Sequence, residues 1–309
     1  MDRADFFELK NGEKARLPFT DKEYKHRVLN LRKIMSENNM DMAILTSMHN
    51  IAYYTGFIYC SFGRPYGCII TEKKIVTISA NIDASQPWRR SNCENIIYTD
   101  WKKDNFLRAI VSIIGRDKPP KNIGIEEDHL TLDIMKKVKS IFSFSNFSDI
   151  AKDLMKLRMI KSEEELKLAR HTGEVGLAMM SAGRETIKAG IPEYEVALAI
   201  SRAGTKKSSE ILEKNYKGTR MSPLIHFLQI MASGKDTLLT HHRASTKIIK
   251  HGDPVFLCFC GMNNFHKFKL GFDRIFWVEE IQSDEQIKAF ETAVKSQKAA
   301  LEVLSLIHI

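Results

Sequence analysis

An alternation of helical and strand patterns that runs up to a join near Asp149 to Lys161 most constrains what this chain can become. Before it, short apolar runs of strand length alternate with helical stripes: Met42-Ala43-Ile44-Leu45, Gly67–Thr71 and Ile75–Ile78 read as strands, the last two forming a hairpin about Glu72-Lys73-Lys74. Further strands are expected at Asn95–Thr99 and Asn122–Glu126, with helices near Lys103–Ile114 and Thr131–Lys139. Thr20-Asp21-Lys22-Glu23 has the spacing of a capping box and precedes an apolar stripe at Tyr24, Val28, Leu31 and Met35. Alternation of this kind predicts a layered α/β domain.

After the join the elements lengthen. Ser162-Glu163-Glu164-Glu165 is a second capping box, opening a helix to about residue 182. Gly190-Ile191-Pro192 ends one segment and starts another helix, with Pro192 in the first turn. Strands are expected at His226–Ala232, Pro254–Cys260 and Leu270–Glu280, followed by a helix from Ser283 with Ile287, Phe290, Val294, Gln297, Leu301 and Leu304 on one face. The organisation expected is residues 1–155 as an α/β domain and residues 156–309 as an α+β domain.

Composition excludes several classes. At 309 residues and 43% hydrophobic, the chain suits two globular domains, and no apolar run reaches membrane-span length. The net charge of +9 is scattered, its densest cluster being Lys206-Lys207 with Lys214, Lys217 and Arg220. No nucleic-acid-binding module accompanies it, so neither nucleic acid nor membrane is an expected partner. The start, Met1-Asp2-Arg3-Ala4-Asp5, lacks the regions of a signal peptide, which predicts a cytoplasmic protein. The five cysteines (Cys60, Cys68, Cys93, Cys258 and Cys260) show no CxxC spacing and predict neither a disulfide framework nor a zinc ribbon.

Several stretches together resemble the creatinase family. They are Tyr59-Cys60-Ser61-Phe62-Gly63-Arg64-Pro65-Tyr66, Ser79-Ala80-Asn81-Ile82-Asp83, Gln86-Pro87-Trp88-Arg89-Arg90, Tyr98-Thr99-Asp100-Trp101, Gly124-Ile125-Glu126, Arg158–Ser162 and Pro192–Ala197. The tract Ala232-Ser233-Gly234, Thr240-His241, Gly252-Asp253 resembles the lead-in to the first metal ligand of the wider family, which includes aminopeptidase P and methionine aminopeptidase. The resemblance implies a creatinase-type amino-terminal domain followed by a pita-bread catalytic domain. It also implies further strands beyond the final helix, so the second domain is expected to be C-terminally truncated, and this fragment to be inactive as it stands.

The same resemblance implies the chemistry. Two metal-ligating aspartates of the peptidase relatives fall here on Cys258 and Gly271, so no metal and no cofactor is expected. His241 aligns with the creatinase proton shuttle, a role suited to a side chain titrating near neutrality. Asp273 aligns with a glutamate that holds the substrate guanidinium, and it is also the nearest carboxylate to the missing ligands. Phe62 and Arg64 align with residues that reach the substrate from a partner subunit, Arg64 clamping a carboxylate. The implied partners are a small-molecule substrate and a second copy in a homodimer with a shared active site. The expected function is metal-independent hydrolysis of a C–N bond in a small amidino, guanidino or amino-acid-derived compound. The alternatives are an Xaa-Pro aminopeptidase-like metallopeptidase and a non-catalytic binding domain on the same fold. His242 and Arg243 replace a polar residue and a proline of creatinase, while His266 and Lys269 add charge, so creatine itself is not assumed.

Overall fold

The computed structural model describes residues 4–58, 63–114, 119–216, 222–223, 230–239, 241–259, 263–265, 268–271 and 273–307. The chain divides into two compact units: residues 1–168 with 212–221, and residues 169–211 with 222–309.

The first unit is built on a seven-stranded sheet. Its strands are β1 (Phe6–Phe7), β2 (Met42–Leu45), β3 (Gly67–Thr71), β4 (Ile75–Ala80), β5 (Glu94–Tyr98), β6 (Asn122–Ile125) and β7 (Asn146–Asp149), in the order β1-β5-β4-β3-β2-β6-β7. The β2–β3 and β3–β4 pairs are antiparallel, whereas β4–β5, β2–β6 and β6–β7 are parallel. The helices α1 (Asp21–Glu37), α2 (Met48–Thr55), α3 (Pro87–Arg90), α4 (Asn105–Ile114), α5 (Leu132–Ile141) and α6 (Ala151–Met159) complete the unit. The central strands are buried on both faces, as their continuous apolar runs require, and Ile44, Ile69, Ile78 and Ile123 lie in one core.

The two capping boxes differ. Glu23 N–H donates to Thr20 Oγ1 at 3.2 Å, but Thr20 N–H donates to Glu164 instead of Glu23. Glu23 turns to the buried Arg27, whose guanidinium lies 4.0 Å from the Phe19 ring and 4.2 Å from that of Tyr53. The box at Ser162 is reciprocal: Glu165 N–H donates to Ser162 Oγ at 3.2 Å and Ser162 N–H to Glu165 Oε2 at 3.0 Å.

Helix α7 (Glu163–Thr186) follows, then α8 (Glu193–Asn215) directly after Pro192. The second unit holds a three-stranded antiparallel sheet, β12-β9-β8, from β8 (Ile230–Ser233), β9 (Pro254–Cys258) and β12 (Asp273–Trp277). A short ladder pairs β10 (Asn263–Phe265) with β11 (Phe268–Leu270). Helix α9 (Asp284–Ile307) carries the expected apolar stripe, but Ile287, Phe290, Leu301 and Leu304 on it are exposed. No helix among the described residues is long and apolar enough to cross a membrane. Cys68, Cys93 and Cys258 are buried thiols, and burial pushes that of Cys93 up to about 11.

Candidate functional site

The segment between β8 and β9 carries the histidines. Strand β8 ends at Ser233, and a short 3-10 turn, Gly234–Leu238, leads to His241. His241 is exposed and has left-handed backbone, φ 59°. That region costs a residue with a Cβ roughly 1–2 kcal/mol. The conformation persists because both flanks are tied down. On one side Met231 N–H donates to the His242 carbonyl at 3.2 Å, and Arg243 bridges Ile230. On the other side the start of α8 grips residues 245–249. Glu193 N–H donates to the Lys247 carbonyl at 3.0 Å and Tyr194 N–H to the Ser245 carbonyl at 3.1 Å. Unpartnered N–H groups at a helix start thus find loop carbonyls.

Glu193 itself is buried at this junction. One oxygen accepts from Ser233 N–H (2.9 Å) and Ser233 Oγ (2.7 Å). The other accepts from Ser245 N–H (3.0 Å) and Ser245 Oγ (2.6 Å). Desolvation works to raise its pKa, but these four bonds outweigh it and hold the carboxyl below its ordinary range. His242 Nε2 lies 3.6 Å from Glu193 Oε2.

Asp236 completes a triad of possible metal donors with Glu193 and His242, their ligand atoms within 4.8 Å of one another. The two carboxylates are already engaged. Lys247 Nζ donates to Asp236 at 2.8 Å, holding that carboxyl below its usual range, and donates also to the Ser233 carbonyl. An ammonium therefore supplies the positive charge in this cluster, and Glu193 has no lone pair left over.

Asp273 opens β12 and is exposed. It faces Cys258 directly across the ladder, Cys258 pairs with Ile230 on its other side, and Ile230 bridges Arg243. Asp273 and the histidine segment thus stand at opposite ends of one row, three inter-strand steps of about 4.8 Å apart. Arg274 Nη1 donates to the Asp273 carbonyl, at 2.6 Å. Gly271 lies just before β12 and offers no side chain, and the buried Cys258 is a soft donor. The described residues at these two positions do not fit a carboxylate-bridged metal pair.

Arg64 belongs to the first unit. It lines a cleft of about 600 Å³ with Thr46, Tyr66, Tyr98, Asp100 and His129. Its guanidinium is exposed and paired with Asp100 at 3.2 Å, and this hydrogen bond raises its pKa. Beneath the cleft, buried Glu126 accepts from the N–H groups of Thr46 and Ser47, from Ser47 Oγ and from Asn50 Nδ2. Phe62, His266, Cys60 and Cys260 lie outside the described residues.

Sequence reasoning named His241, Arg64 and Asp273 as candidates and gave no role to Glu193, Lys247, Asp100 and Glu126. An acid in the first turn of a helix, such as Glu193, reads as a dipole partner, which hides its role as a hub.

The comparisons with known proteins agree with this architecture. The Creatinase/Prolidase N-terminal domain matches residues 27–160, and Metallopeptidase family M24 matches residues 167–305. The creatinase of Bacillus sp. (strain B-0618) is 35% identical over 295 residues, covering 95% of this chain and 69% of that protein. The Xaa-Pro dipeptidase of Pyrococcus horikoshii is 25% identical, covering 89% of this chain and 70% of that one. Among solved structures, a Pyrococcus horikoshii prolidase superposes with a TM-score of 0.72 at 22% identity, covering 89% of this chain and 71% of that one. An X-Pro aminopeptidase from Thermotoga maritima gives 0.71 at 21%, covering 88% of this chain and 70% of that one. These last two likenesses bear on the fold.

Proposed function

Because the chain belongs to metallopeptidase family M24, with a creatinase/prolidase-type amino-terminal domain, a family of hydrolases acting on C–N bonds, we propose that it hydrolyses a small amidino, guanidino or amino-acid-derived substrate without metal. The observation that carries this reading is the pairing of His241 with the donor loss at Cys258 and Gly271. An exposed imidazole is offered on a tethered segment, while the two positions meant for carboxylate ligands hold a thiol and no side chain.

The chemistry needs one proton carrier. His241 accepts a proton from water as the water oxygen bonds to the central carbon of the amidine. It then returns that proton to the leaving nitrogen, and the C–N bond breaks to give an amine and a urea or amide. Asp273 supplies a carboxylate for a planar cation, and its side is shorter than the glutamate of creatinase by one methylene. Arg64 supplies a fork of donors for a substrate carboxylate, delivered with Phe62 from the partner of a homodimer.

A turnover screen of the full-length protein tests the reading. At least one guanidino or amidino acid, with creatine and guanidinoacetate among the probes, is expected to be cleaved in the presence of a chelator. The Xaa-Pro metallopeptidase reading has one observation in its favour: Asp273 is cross-strand from Cys258, on the face where a displaced ligand would lie. Cleavage of Gly-Pro that requires added manganese, with no action on guanidino acids, would establish that alternative.

A further inference from the structure

We infer that Glu193 is the positioning residue for His241, tying Ser233 to Ser245 and so closing the base of the segment that carries the histidine. The inference rests on the proposed role of His241.

The bonding pattern supports it. Ser233 is the last residue of β8 and Ser245 follows the histidines, so the two serines bracket residues 234–244. One carboxylate accepts two hydrogen bonds from each serine, both an N–H and an O–H. A carboxylate has about four lone-pair sites, and all four are used. A buried charge is tolerated when it is bonded in this way. The depressed pKa of Glu193 follows from the same contacts and keeps the carboxylate ionised where a neutral acid would lose an acceptor.

Chemistry distinguishes the carboxylate from its isostere. Glutamine has one accepting oxygen, and its amide group would turn a donor toward one serine N–H. It keeps one serine tied and loosens the other. Alanine removes all four side-chain bonds and leaves Ser245 the backbone bond from Tyr194 N–H. Lys247 gives a second, weaker tie, through Ser233 carbonyl and Asp236, so the segment stays attached to the sheet when Glu193 is removed. His241 then samples positions away from its working one, which lowers the rate of the chemical step more than it lowers binding.

The experiment compares wild type, Glu193→Gln and Glu193→Ala by hydrogen exchange and by turnover of the guanidino acid that the screen finds cleaved. For Glu193→Ala, faster amide exchange confined to residues 233–245 is expected, with kcat down roughly tenfold or more and KM within about threefold. Glu193→Gln is expected to fall between the two, with the pH inflection of kcat preserved because His241 is unchanged. Unaltered exchange at Ser233 and Ser245 in Glu193→Ala overturns the tether. Exchange that rises throughout the second unit also overturns it, since Glu193 would then hold the fold and not the segment. His241→Ala in parallel keeps the two ideas apart: undiminished turnover there removes the proposed function, while exchange at 233–245 still decides the tether.

Discussion

Asp273 and Cys258 are direct cross-strand partners, joining the first residue of β12 to the last of β9. Their side chains share one face of the sheet, so a soft thiol stands beside the Asp273 carboxylate, while Gly271, two residues earlier, offers no donor. The expected outcome is a protein that carries no stoichiometric manganese, cobalt or zinc after purification and keeps its turnover after EDTA. Elemental analysis of the dialysed protein checks this, and one or two bound ions per chain with chelator-sensitive turnover would contradict it.

Arg64 is held by Asp100 on the surface of the first unit. An exposed pair is weak enough for a substrate carboxylate to replace Asp100. Arg64→Ala is expected to raise KM roughly tenfold to a hundredfold for acidic substrates with little change in kcat. Asp100→Asn, which leaves the guanidinium unpaired, is expected to lower KM. Steady-state kinetics at two ionic strengths separate a clamp from a general field effect.

Glu126 stabilises the first unit in a pH-dependent way. Burial acts to raise its pKa, but bonds from Ser47, Asn50 and Thr46 prevail and depress it. A depressed folded-state pKa contributes stability that is present above the ordinary value of 4.5 and lost as pH falls through the lower folded value. Glu126→Ala is expected to destabilise the protein by about 3 kcal/mol or more, because several buried donors lose their acceptor together. Denaturant titrations between pH 7 and 3 check both statements: the wild type should weaken below pH 4.5, and the variant should show a smaller slope there.

Much of the first unit was legible in the sequence. Apolar runs located β2 to β6, and Thr20, Thr131 and Ser162 marked helix starts that the structure retains. Helix α2 was not legible, because Met48–Thr55 has no long apolar stripe. Its start is fixed by Ser47 and by Glu126, a residue far along the chain. The same reason hid the hub at Glu193, whose partners are 40 and 52 residues away. His241 and Arg64 were named because the stretches around them resemble creatinase. Polar residues that hold a segment in place acquire that role only when strands and helix starts are brought together.

Arg27 has a similar hidden role. It is buried between aromatic rings, with its Nε 2.9 Å from Glu23 and its Nη2 3.6 Å from Glu165. Arg27→Ala is expected to cost about 3–5 kcal/mol, since it takes the cation away from buried Glu165 and half-buried Glu23 and removes the filling between Phe19 and Tyr53. Thermal unfolding should show a lower Tm, and Arg27→Lys should not restore it, because an ammonium lacks the planar fork.

The most direct test of metal-independent proton transfer is kcat/KM for guanidino-acid hydrolysis in EDTA, measured for wild type and His241→Ala. The account predicts full wild-type turnover in the chelator and a loss of roughly a hundredfold or more in the variant. Turnover that survives the substitution, or that vanishes from the wild type when metal is removed, would contradict it.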